Sequence, residues 1–85
     1  MTKVIPAVEK IARARALIQK ARDYPVPAEM GKSDFSYMAQ VKDLLRQARD
    51  LIKFIPQTMG VSAEIKEDVK KVYQEIEDTN SELLY

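Results

Sequence analysis

The run SDFSYMAQVKDLLRQARDLIKFI, residues 33–55, has the most regular apolar spacing in the chain. Tyr37, Val41, Leu44, Ala48, Leu51 and Ile55 recur at alternating four- and three-residue steps, the signature of one face of an α-helix. A second line, Met38, Leu45, Ile52 and Met59, repeats every seven residues beside the first. Lys42, Asp43, Arg46, Arg49, Asp50 and Lys53 take the other side, with Arg46 and Asp50 one turn apart. Ser33 or Asp34 can cap the first free N–H groups. Pro56 stops the helix because it has no N–H to donate.

The two apolar lines form a sector wider than one neighbouring helix covers, so the flanking segments must supply partners. Upstream, Val4, Ala7, Val8, Ile11, Ala14, Ile18 and Ala21 define an alanine-rich face over about residues 6–22, whose small side chains permit close approach. Pro6 fits a first helical turn, where its missing N–H would have no partner. Downstream, Ser62 caps a helix expected over residues 62–78, with Ile65, Val69, Val72 and Ile76 as a narrow stripe and Glu64, Glu67 and Asp68 near its positive end. Glu67 and Lys71 are placed to pair one turn apart. Thr79-Asn80-Ser81-Glu82 has the form of a capping box that would start a separate final turn with Leu83 and Leu84, the alternative being a frayed tail.

Between the first two helices, Tyr24-Pro25-Val26-Pro27 excludes helix by restricting the residue before each proline, and Gly31 closes the loop at 23–33. No stretch alternates long enough to read as a strand. These patterns predict an all-α fold, a single helical domain over 1–85 built as an antiparallel three-helix bundle. A long helical hairpin completed by dimerisation is the alternative.

Chemistry is limited by what the 85 residues lack. The chain has no cysteine and no histidine. It therefore has no thiolate, no disulfide and neither of the usual soft or imidazole metal ligands. Its two glycines, Gly31 and Gly60, are too far apart for a phosphate-cradling loop. Carboxylates remain, at Glu64 and Asp68 and at Glu75, Asp78 and Glu82, but without a wrapping loop they read as solvated surface. The expectation is a protein with no cofactor, no metal and no catalysis. No apolar run is long enough for a membrane span, and Pro6 cuts off Val4 and Ile5 before they form a secretory segment. A cytoplasmic protein is expected.

Fourteen basic and thirteen acidic residues give a net charge of +1 that conceals a gradient. Residues 1–32 hold seven basic and three acidic groups, or +4; residues 33–55 hold four and three, or +1; residues 56–85 hold three and seven, or −4. One reading is that the basic first and acidic third helices complement each other across a seam. The other is that Lys10, Arg13, Arg15, Lys20 and Arg22 form a basic patch for nucleic acid, with Tyr24 available to stack on a base. The apolar candidates are Met30, Phe35, Met38, Leu45, Ile52 and Met59, a partner surface exposed if three small helices fail to cover the second line. Met30, Phe35, Tyr37 and Met38 also gather where the loop enters the second helix, either closing the bundle end with Phe35 under the proline arm or forming an adaptable groove. The leading functional expectation is a protein-interaction or adaptor module that self-associates through its second helix, with a protein or a second copy as partner. Nucleic-acid binding through the first helix is the runner-up.

Overall fold

Three helices account for most of the backbone in the computed structural model, which describes residues 6–28, 31, 34–57 and 60–84. They are α1 (Ala7–Asp23), α2 (Phe35–Ile52) and α3 (Ala63–Leu84), with one 3₁₀ turn at Ile55–Gln57. All three pack against one another, α1 and α2 most extensively. The architecture is the expected all-α three-helix bundle, and the hairpin alternative does not hold.

Each helix end has a local cause. The Tyr24 backbone is extended at φ −62°, ψ 129°, because Pro25 disfavours the helical region for the residue before it. Asp34 accepts a 3.0 Å hydrogen bond from the Tyr37 N–H and so caps α2. The Ser62 hydroxyl accepts one from the Ile65 N–H at 3.2 Å and caps α3. Gly31 (φ 57°) and Gly60 (φ 82°) occupy left-handed backbone at the two loops, a conformation costly to any residue with a Cβ.

Two boundaries differ from the sequence expectation. α2 ends at Ile52 rather than 55. Pro56 cannot donate to the carbonyl four residues earlier, and its ring crowds that carbonyl, so the last α-helical turn is lost and a 3₁₀ turn takes over. α3 runs on to Leu84 rather than ending near 78. Thr79 does not cap a new helix; its hydroxyl donates to the Glu75 carbonyl at 2.7 Å and the residue is fully buried. That back-bond satisfies the hydroxyl inside a continuous helix.

The core is one cluster. Ile11, Ala14, Ile18 and Ala21 come from α1, Val69, Val72 and Ile76 from α3, and Tyr37, Val41, Leu44, Leu45, Ala48 and Ile52 from α2, with Ile55 just beyond it. The alanines at 14, 21 and 48 are fully buried, which lets the backbones approach closely. Val8, expected on the core face, is 66% exposed. Each fully buried large aliphatic side chain contributes about 1.5–3 kcal/mol. One core group works against this: the Tyr37 hydroxyl is buried with no hydrogen-bond partner among the described residues, a loss of about 1–3 kcal/mol. The bundle is elongated, with a radius of gyration of 14.5 Å where about 12 Å suits a compact chain of this length. No helix among the described residues is long and apolar enough to cross a membrane.

Candidate functional site

The second apolar line of α2 is not a surface. Leu45 is 3% exposed and Ile52 0%, and Met38 is half-buried against the core. The expectation that three helices of this size leave the line uncovered is therefore corrected. α1 and α3 sit on different flanks of α2, so each covers one of its two lines. Met30 and Met59 lie outside the described residues. Among the described members of the predicted apolar set, only Phe35 is openly exposed, at 83%. It does not sit beneath the proline arm; Tyr24 anchors that end instead, its half-buried ring 6.0 Å from Tyr37 and tilted by 54°. Tyr24, offered from the sequence as a base-stacking residue, is thus half-buried and engaged with Tyr37.

The basic patch on α1 is split by the fold. Arg15 reaches Glu75 of α3 at 3.2 Å, and Arg22 pairs with Glu82. Both arginines and both carboxylates are seven residues apart, so α1 and α3 run parallel and in register. The complementary-seam reading of the charge gradient describes these two pairs. Arg13 pairs with Glu9 one turn back at 3.1 Å. Lys10 and Lys20 form no ion pair among the described residues. On α2, Arg46 pairs with Asp43 at 2.7 Å and Lys53 with Asp50 at 3.3 Å, both three residues apart. The expected pairing of Arg46 with Asp50 is not the one made, and Glu67 meets Lys70 rather than Lys71. Asp43 accepts from both Arg46 and Gln47; these donors hold its carboxyl below the usual carboxylate range.

Two grooves flank α2. Between α1 and α2, Leu17 and Leu51 are shared by two adjoining shallow depressions of about 380 and 340 Å³. Arg13, Ala16 and Lys20 form the α1 rim, and Gln47 and Asp50 the α2 rim. Leu17 and Leu51 are half-buried, and Phe54, three residues past Leu51, is 60% exposed. The sequence spacing places Leu51 in the main seam of α2 and leaves Leu17 flanking the main stripe of α1; that the two meet along one groove is seen only in the fold.

Between α2 and α3 lies a larger groove of about 520 Å³. Its floor is Leu45 and Ile76, both buried; its walls are Lys42, Arg46 and Arg49 on α2 and Glu77, Asn80 and Ser81 on α3. Of the α3 carboxylates considered for a cation, Glu75 and Glu82 are engaged by arginines and Asp78 by the Gln74 amide at 2.9 Å. No group of three or more acidic side chains that could hold a metal occurs among the described residues.

Comparison with protein-family models, curated proteins and solved structures finds no match for this chain.

Proposed function

We propose that the chain is a small, non-catalytic protein-interaction module that docks its partner in the α1/α2 groove. The observation that carries this reading is the Leu17–Leu51 strip, apolar surface left half-open between two helices, with exposed Ala16 on its α1 rim and exposed Phe54 three residues beyond Leu51. Contiguous apolar surface of this kind on a soluble bundle marks a place where another chain excludes water. The docking surface proposed from sequence, the 38/45/52/59 line, is replaced by this one because Leu45 and Ile52 are already spent on the core.

In the form open to test with the purified chain, the partner is a second copy. A two-fold axis parallel to the helices sets α1 of each copy against α2 of the other, antiparallel, as in a four-helix bundle. The Arg13 and Lys20 rim of one copy then meets the Gln47 and Asp50 rim of the other, so like charges do not oppose. Sedimentation equilibrium from micromolar to millimolar chain is expected to show a monomer–dimer equilibrium that Leu17→Glu with Leu51→Glu abolishes. A strict monomer over that range, or a dimer indifferent to both substitutions, overturns the proposal.

A further inference from the structure

The outward face of α2 carries a pattern the interaction reading does not use. At 100° per residue, Phe35, Lys42, Arg46, Arg49 and Lys53 fall within about 60° of one another on the helix circumference. They extend over about 27 Å of helix axis. Phe35 leads the stripe with 83% of its surface in solvent, and Lys42, Arg46 and Arg49 form the α2 wall of the groove shared with α3. Lys42 and Arg49 form no ion pair among the described residues, whereas Arg46 and Lys53 are paired with Asp43 and Asp50 at the side of the stripe. Across the groove Asn80 and Ser81 offer hydrogen-bonding groups, and Glu77 is the one opposing charge in its lining.

We propose that this face binds single-stranded nucleic acid, with Lys42, Arg46, Arg49 and Lys53 on successive phosphates and Phe35 beneath a base. Three features select that ligand. The floor of the groove, Leu45 and Ile76, is sealed, so an apolar partner helix finds no anchor there. A row of cations along one line matches a polyanionic backbone. An unstacked base needs a free aromatic face, which a duplex does not use, and Phe35 supplies one. The length of the stripe suits about four or five nucleotides, at the lower end of the usual site sizes. The site is separate from the α1/α2 groove and does not depend on the dimer.

Fluorescence anisotropy of a labelled mixed-sequence oligonucleotide of about ten nucleotides, at about 50 mM salt, tests the proposal. Binding is expected to weaken with a log–log salt slope of about −2 to −3, the value for three or four phosphate contacts on a single strand. Lys42→Glu with Arg49→Glu is expected to weaken it by about tenfold or more, and Phe35→Ala by about fivefold or more, with circular dichroism confirming that each variant keeps its helices. Lys42→Ala with Arg49→Ala repeats the test without introducing new charge. Lys10→Gln, on α1 and lining neither groove, should leave binding nearly unchanged. No binding at low salt, tighter binding of the duplex, equal displacement by polyglutamate of the same charge, or equal loss in the α1 variant would each overturn it.

Discussion

The two grooves beside α2 have the same kinds of residues in opposite arrangements. On the α3 flank the aliphatic side chains, Leu45, Ile52 and Ile76, are sealed and the cations stand above them. On the α1 flank the aliphatic pair Leu17 and Leu51 stays half-open and the cations Arg13 and Lys20 stand at the rim. The difference comes from how the neighbouring helix meets α2. α3 brings the large residues Val69, Val72 and Ile76 to the shared core, whereas α1 brings small ones, Ala14 and Ala21, beside Ile11 and Ile18. Small residues draw the backbones together at the seam and leave the larger side chains just outside it partly uncovered. A groove's chemistry here follows from which side chains the seam consumes, not from which ones the helix carries.

The sharpest way to break that comparison is truncation on each flank. Ile52→Ala removes a fully buried side chain and is expected to cost about 2–5 kcal/mol in urea denaturation. Leu51→Ala, one residue away but half-exposed in the open groove, is expected to cost about 1 kcal/mol or less at concentrations where the chain is monomeric. Equal costs would mean that the two flanks are not differently sealed.

A smaller effect tests the third seam, α1 against α3. A double-mutant cycle on Arg15 and Glu75, with alanine at each, is expected to return a coupling of about 0–1 kcal/mol because both partners are more than two-fifths exposed. The charge reversal Arg15→Glu with Glu75→Arg should recover most of what either reversal alone loses. A reversal pair that recovers nothing would remove the complementary-seam account.

The smallest effect concerns Asp43 at the edge of the α2 stripe. Its folded pKa is lowered, chiefly by the hydrogen bond from Arg46 and then by that from Gln47. The linked stability is present above the unfolded carboxylate value and is lost as pH falls through the folded one. A carbon-detected NMR titration should place the Asp43 midpoint below that of a free aspartate, and Arg46→Ala should move it back up. A midpoint indifferent to that substitution would show that Arg46 is not held beside Asp43.

Periodicity alone was enough to locate all three helices, since an amphipathic stripe depends only on the order of side chains along one element. The Ser62 cap was legible for the same reason, and the Asp34 cap as one of two candidates with Ser33: each acts on a backbone N–H three residues away. The end of α2 was misplaced because the effect of Pro56 reaches back a full turn. The extension of α3 was hidden because Thr79 reads equally as a cap or as a buried helical residue. Burial against the other two helices, α1 and α2, decides between the two, and the four-residue window contains neither.

The sites divide in the same way. From residue order came the three stripes, the basic-to-acidic gradient and the absence of cysteine and histidine. Which cations stay free could not come from it. Arg13 and Arg15 are two positions apart on one basic helix, yet Arg13 falls to the groove with α2 and Arg15 to the seam with α3. A two-residue step turns a helix by about 200°, so the fate of each charge rests on where the other helices stand around it. That placement is fixed by the packing of the one core to which all three helices contribute, and it exists only once they are brought together.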